Sequence, residues 1–281
     1  MFRTLISTDE LAGHTEDAGW AVVDCRFALD DPEKGRRGYL EAHVPGAVYA
    51  HLNDDLSGPI VAGGTGRHPL PDAVSFGDKL SNWGIDRGVQ VVGYDDVGGA
   101  MAARLWWMLR WMGHDAAAVL DGGLPKWVRE GRPTRGGPER RGRRTFEPAV
   151  REEFVVHVEE VAKHAGDPAW RIVDSRTGDR YRGEFEPIDP VAGHIPGAIN
   201  APHPAIADGD GVFLSPEAIR AYFGSLLGGV PPERTVFYCG SGVTAARNLL
   251  AFAHAGLGDA RLYAGSWSEW ITDPSRPIAT A

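Results

Sequence analysis

The sequence predicts an α/β protein made of two tandem domains, each a parallel sheet flanked by helices. Three observations predict it. At 281 residues the chain has room for two domains of ordinary size. Short β-rich runs alternate with helix-like runs, the pattern of strands joined by crossover helices. Four blocks also recur in one order. "VVDCR" from 22 returns as "IVDSR" from 172, and "EAHVPGAVYA" from 41 as "AGHIPGAINA" from 192. "VQVVGYDDVGGAMAARLWW" is echoed by "RTVFYCGSGVTAARNLL", and "VLDGGLPKWVREGRP" by "LYAGSWSEWITDPSRP". The offsets are 150, 151, 144 and 143 residues, so the halves are copies. Two long units make a tandem rather than a solenoid.

In chain order, "AVVDCR" (21–26) and "VQVVGYD" (89–95) read as strands of the first copy, and "AARLWWMLRWMG" (102–113) as its longest helix. Arg104 and Arg110 interrupt that helix, which is too short to span a bilayer. The expected domains are 1–131, a linker at 132–148, and 149–281. The linker is rich in Gly, Pro and Arg, and its six arginines between 132 and 144 are expected to pair with surface carboxylates. "RIVDSR" (171–176) and "TVFYCG" (235–240) repeat the strands, and "VTAARNLLAFAHAG" (243–256) the helix.

A hydrophobic content of 43%, a charged content of 24% and a net charge of −9 describe a water-soluble chain without general affinity for nucleic acid or anionic membrane. The first twenty residues read as no secretory signal. Two cysteines make neither a disulfide framework nor a multi-cysteine metal site, so a reduced, cytoplasmic protein is expected. No metal or organic cofactor is called for.

Cys239 is the candidate nucleophile. It ends a strand and opens a turn into a helix N-terminus, where unpaired N–H groups and the helix dipole favour an anion. The same field makes a thiolate available. Gly240 and Gly242 let the loop curl, while Ser241 and Thr244 offer hydroxyl donors beside Val243. Two chemistries use such a cradle. A cysteine phosphatase or arsenate reductase needs an arginine six positions after the cysteine; Ala245 stands there, and Arg247 lies further along the helix. The six-residue loop from Cys239 to Thr244 suits a sulfur atom better than a phosphate.

With "CGSGVTA", "GHIPGAIN" and the tandem layout, the chain resembles the rhodanese family of two-domain sulfurtransferases, from about residue 4 to 278. The resemblance implies two rhodanese-like domains, the second catalytic. Cys239 would take sulfane sulfur from thiosulfate or 3-mercaptopyruvate, become a persulfide, and pass the sulfur to a thiol or cyanide acceptor, thioredoxin among the candidates. The first copy places Asp95 opposite Cys239; it would be silent and supply one wall of the cleft. In "SRTGDRYRGEFEP", Arg180 matches a family arginine that binds the donor anion, with Arg182 a weaker candidate. "NDDLSG" and "GRHPLP" fall where 3-mercaptopyruvate sulfurtransferases carry an aspartate and a histidine, which points to Asp55 and His68. His68 can relay a proton through Ser241. Members specialised for 3-mercaptopyruvate carry a second arginine after the "E-P" motif, where Ile188 stands here. A non-catalytic sulfur carrier or regulatory module is the remaining alternative, and a monomer is expected.

The other repeated residues read as structural. His43 and His194 sit in both copies of the "H-V/I-P-G-A" turn, and Asp24 with Arg26 and Asp174 with Arg176 form equivalent pairs. Cys25 lacks a glycine cradle and reads as a buried small residue. Trp106, Trp107, Trp111, Trp127, Trp267 and Trp270 read as core.

Overall fold

The computed structural model describes residues 1–281. The chain forms two compact units: residues 1–58, 71–151 and 209–213 make the first, and 59–70, 152–208 and 214–281 the second.

The first unit holds a five-stranded parallel sheet in the order β1-β5-β4-β2-β3. Its strands are β1 (Leu5–Ile6), β2 (Trp20–Asp24), β3 (Val48–Tyr49), β4 (Gln90–Tyr94) and β5 (Ala117–Leu120). The helices are α1 (Thr8–Ala12), α2 (Lys34–Glu41), α3 (Ala73–Asn82), α4 (Ala102–Trp111) and α5 (Gly123–Arg129). β4 is buried along its whole length, as expected for a strand with helices on both faces. Ser7 begins α1 with a capping box to Glu10, and Asp72 caps α3 through the N–H groups of Val74 and Ser75.

The second unit repeats the arrangement with β6 (Arg171–Asp174), β7 (Ile199–Asn200), β8 (Thr235–Tyr238) and β9 (Arg261–Leu262), parallel in the order β7-β6-β8-β9. Its helices are α6 (Val158–His164), α7 (Gly178–Arg182), α8 (Pro216–Leu227), α9 (Thr244–His254) and α10 (Ser266–Trp270). The counterpart of β1 is reduced to one parallel bridge, Val155 with Leu262. In matching registers Asp24 faces Tyr94 and Asp174 faces Tyr238.

These registers explain the duplicated charges. Arg26 grips Asp24 through Nε and Nη2 and donates to the Ala42 carbonyl; Arg176 does the same with Asp174 and the Gly193 carbonyl. Each buried carboxylate is therefore paired and hydrogen-bonded, which offsets its desolvation. His43 stacks on Tyr39 and bonds its carbonyl through Nδ1 at 2.7 Å; His194 stacks on Tyr181 and bonds its carbonyl at 2.8 Å. The six tryptophans are buried. Cys25 is buried too, and burial, reinforced by Asp24, pushes its thiol well above the ordinary range.

Arginines between 132 and 144 pair with carboxylates of the first unit. Arg132 meets Asp9 and Glu130, Arg135 meets Glu16 and Glu139, Arg143 meets Asp78, and Arg144 meets Asp86. No helix is long and apolar enough to cross a membrane.

Candidate active site

β8 is a buried Thr-Val-Phe-Tyr strand, and Cys239 is the residue that follows it, 2% exposed. Its loop is fastened to the start of α10. The Cys239 N–H donates to Ser266 Oγ at 3.1 Å, while Trp267 and Ser268 donate their N–H groups to the carbonyls of Cys239 (3.0 Å) and Gly240 (2.9 Å). Ser266 holds φ at +56°, the only non-glycine residue with a positive φ. Strain of this kind persists where the surroundings fix it. Here the fixing contacts are its own hydrogen bonds, to the Cys239 N–H and to the Tyr263 carbonyl.

The loop glycines answer to close neighbours. At Gly242, with φ +73°, a Cβ would sit 2.4 Å from the Ala264 carbonyl oxygen, so only glycine fits. At Gly240 a Cβ would come within 2.9 Å of Arg67 Nη2 and 3.5 Å of Arg180 Nη2. Val243 is buried and leads directly into α9, whose first residue is Thr244.

The structure brings His68 and Ser241 together. His68 Nδ1 lies 2.8 Å from Ser241 Oγ, and both side chains are buried. Arg180 is gripped by Glu186 through Nε and Nη2 and reaches Asp189 Oδ2 at 3.1 Å through Nη2. Glu186 also accepts from Arg176 and from the N–H groups of Ile188 and Asp189. Burial pushes the Glu186 carboxyl upward, but the Arg180 contact and these N–H groups outweigh it and hold the group below the usual carboxylate range. Arg182 pairs with Glu184 and points its guanidinium into solvent. Asp55 belongs to the first unit, where it accepts from the His51 N–H at 2.8 Å and from Lys79 Nζ at 2.7 Å. Arg247, two positions beyond where a phosphatase arginine would stand, is buried and donates to the His203 carbonyl at 2.6 Å.

Sequence reasoning passed over Arg67, Glu186, Asp189 and Ser266. Ser266 carried a signal: the fourth repeated block aligns it with Gly123, and a serine at a position where the other copy has glycine is worth asking about. Arg67 carried only its adjacency to His68. His203 is held neutral, its pKa lowered to about 4 by burial and by Arg247 and Arg180. No group of three His, Cys, Asp or Glu side chains is placed to hold a metal ion.

Comparison with known proteins places the family. The family described as Rhodanese-like domain matches residues 7–130 and again 157–273. A Pseudomonas aeruginosa protein named "Probable 3-mercaptopyruvate sulfurtransferase" is 47% identical over 277 residues, covering 98% of each chain. Thiosulfate sulfurtransferase of Rattus norvegicus is 33% identical, covering 96% of this chain and 93% of its own. Among solved structures, the 3-mercaptopyruvate sulfurtransferase from Leishmania major superposes with a TM-score of 0.82 at 34% identity, over 95% of this chain and 74% of that one.

Proposed function

Because this chain belongs to the rhodanese family of sulfurtransferases, we propose that it moves sulfane sulfur from 3-mercaptopyruvate or thiosulfate to a thiophilic acceptor through a persulfide on Cys239. The observation that carries this reading is the loop itself. A lone thiol ends a buried strand at a helix N-terminus, its loop pinned by α10 and flanked by Ser241, His68 and Arg180.

In the first half-reaction the Cys239 thiolate attacks the donor's outer sulfur. With thiosulfate the S–S bond breaks and sulfite leaves with the electron pair. With 3-mercaptopyruvate the C–S bond breaks, and the electron pair stays on carbon as the enolate of pyruvate. That carbon takes up one proton while the thiol of the donor loses one. Ser241 Oγ and His68 Nδ1, already hydrogen-bonded, form a path for this transfer. Arg180 holds the donor's anionic end. In the second half-reaction the acceptor attacks the terminal sulfur, the persulfide bond breaks, and the thiolate returns.

The first copy is assigned no turnover, because Asp95 replaces the cysteine. The residues given roles around Cys239 come from one unit of one chain, which supports a monomer as the working form. A thiol acceptor such as thioredoxin stays reduced in the cytoplasm, the compartment proposed for the reaction. Side-by-side turnover with thiosulfate and 3-mercaptopyruvate tests the function. Transfer from at least one donor, with one sulfur retained on the Cys239 peptide, is expected; transfer from neither overturns it.

A further inference from the structure

His203 has no part in the steps above, yet it stands on the same sheet edge as Cys239. The Ser175 N–H donates to the Tyr238 carbonyl at 2.8 Å, and the His203 N–H to the Ser175 carbonyl at 3.0 Å. These two bonds carry the strand pairing past the ends of β8, β6 and β7, the edge where parallel α/β sheets place ligands. Pro202 and Pro204 flank the residue, and together with the Ser175 bond they restrict its backbone.

Three observations give the imidazole a task. One nitrogen is committed: Arg247 Nη1 donates to the His203 carbonyl at 2.6 Å and lies 3.4 Å from Nδ1. A guanidinium only donates, so Nδ1 is left as the acceptor and the proton sits on Nε2. The other nitrogen is open, since no protein acceptor meets Nε2 and the atom is not sealed from solvent. His51, beside the same turn of the first copy, engages both nitrogens instead: Nε2 lies 3.1 Å from the Pro32 carbonyl, and Nδ1 accepts from the Asp54 N–H at 3.2 Å. Finally, burial first, then Arg247 and Arg180, keep the His203 ring neutral, with its pKa lowered to about 4. Arg180 neighbours the cysteine loop as well, its Nη2 3.5 Å from where a Cβ on Gly240 would stand. A neutral N–H there suits an oxygen that turns negative, because it adds no repulsion to Arg180 and holds on to its proton.

Resting on the sulfurtransferase reading above, we propose that His203 is a specificity-determining residue that donates its Nε2–H to the 2-oxo oxygen of 3-mercaptopyruvate. When the C–S bond breaks, the sulfur passes to Cys239 and the electron pair spreads from carbon 3 onto that oxygen. The hydrogen bond strengthens as this charge develops, and His203 keeps its proton throughout. The proton that carbon 3 takes up arrives by the Ser241 path already described. Thiosulfate carries no oxo group apart from its sulfonate, so its transfer gains nothing from His203. The residue thereby favours the keto donor over the inorganic one.

The test separates this role from a structural one. His203→Leu is expected to lower kcat for 3-mercaptopyruvate about 10-fold or more with little change in KM, while thiosulfate turnover stays within about twofold of wild type. His203→Gln, whose amide N–H can donate in its place, is expected to recover part of that loss. A merely structural role would lower transfer from both donors together with no recovery by Gln, and that result overturns the proposal. Oxalate, a planar dianion resembling the enolate of pyruvate, reads the same contact without turnover. Titrated calorimetrically into Cys239→Ser protein, it should bind about fivefold or more weaker once His203→Leu is added, with sulfite binding unchanged. Equal oxalate binding in the two proteins overturns the proposal. Wild-type turnover of thiosulfate alone also overturns it and leaves the sulfurtransferase reading standing. If the wild-type protein turns over neither donor, that reading falls, and the oxalate comparison still decides whether His203 faces the ligand.

Discussion

β4 of the first unit leads into Asp95 and β8 of the second into Cys239, and each is followed by a glycine-bearing turn and a helix. In the first unit the Asp95 carboxylate fills its own cradle. Oδ1 accepts from the N–H groups of Val97 (2.9 Å) and Gly99 (2.8 Å), and Oδ2 from those of Met101 (2.7 Å) and Ala102 (2.9 Å). Four converging donors on one anion show what this turn is built to hold. In the second unit the residue at the mouth is a thiol, shorter by one branch, and the corresponding loop can serve a sulfur anion that comes and goes. A duplicated fold thus presents a carboxyl group to this turn in one copy and a thiol in the other. The difference is one side chain at the end of a strand.

The largest effect should come from removing that difference. Cys239→Ser is expected to abolish sulfur transfer, while Cys25→Ser, in the first unit's buried sheet, leaves it nearly intact; steady-state turnover and intact mass after donor treatment check both. Substantial turnover by Cys239→Ser would break the comparison.

Next comes the charge around the second cradle. Arg180→Met should cost about 2–4 kcal/mol of donor binding, a fall in kcat/KM of roughly 30- to 1,000-fold. Kinetics matching wild type in a folded variant would place the donor anion elsewhere.

The same cations set an acid limit. His51 of the first copy and His203 of the second follow the repeated turn, one residue out of register. His51 lies beside Asp54, whereas His203 lies between burial and two arginines, with its pKa lowered to about 4. An unfolded chain protonates this histidine near pH 6.5, so between that pH and about 4 the unfolded state binds more protons. Stability from this group is complete above pH 6.5 and falls as pH drops, by about 3 kcal/mol in all. His203→Asn should flatten the stability profile of the second unit over that window in denaturant titrations. An unaltered profile would assign the acid sensitivity to other groups.

The smallest effect sharpens the comparison most closely. Gly123 and Ser266 share a φ of +56° at equivalent positions. Ser266→Gly relieves strain while losing the hydrogen bond to the Cys239 N–H, so stability should hold while kcat falls about fivefold, near 1 kcal/mol. At Gly123 a Cβ would meet the Asp95 carbonyl oxygen at 2.3 Å. Gly123→Ser should therefore destabilise the first unit by at least about 1 kcal/mol with no gain in function. Equal responses at the two positions would remove the special role of Ser266.

Much of this was legible in the residues. The four repeated blocks disclosed the duplication, and the apolar runs ahead of Asp95 and Cys239 marked the strands, because a strand buried on both faces must be apolar throughout. The turn "CGSGVT" between strand and helix was legible locally, since glycines, hydroxyls and a thiol at a helix start are all close in sequence. The paired Asp24–Arg26 and Asp174–Arg176 were visible for the same reason, lying two residues apart.

Other contacts left no such trace. His68 meets Ser241 across 173 residues, and Arg67 meets Asp189 across 122. Both depend on residues 59–70 packing into the second unit, and no local periodicity encodes where a segment without strand or helix will lie. The sequence alone determined the duplicated parallel-sheet fold and singled out the thiol proposed as nucleophile, because hydrophobic pattern and turn chemistry act between near neighbours. Only the tertiary structure decided which distant cations and which histidine lie around its loop, because those partners are chosen by packing.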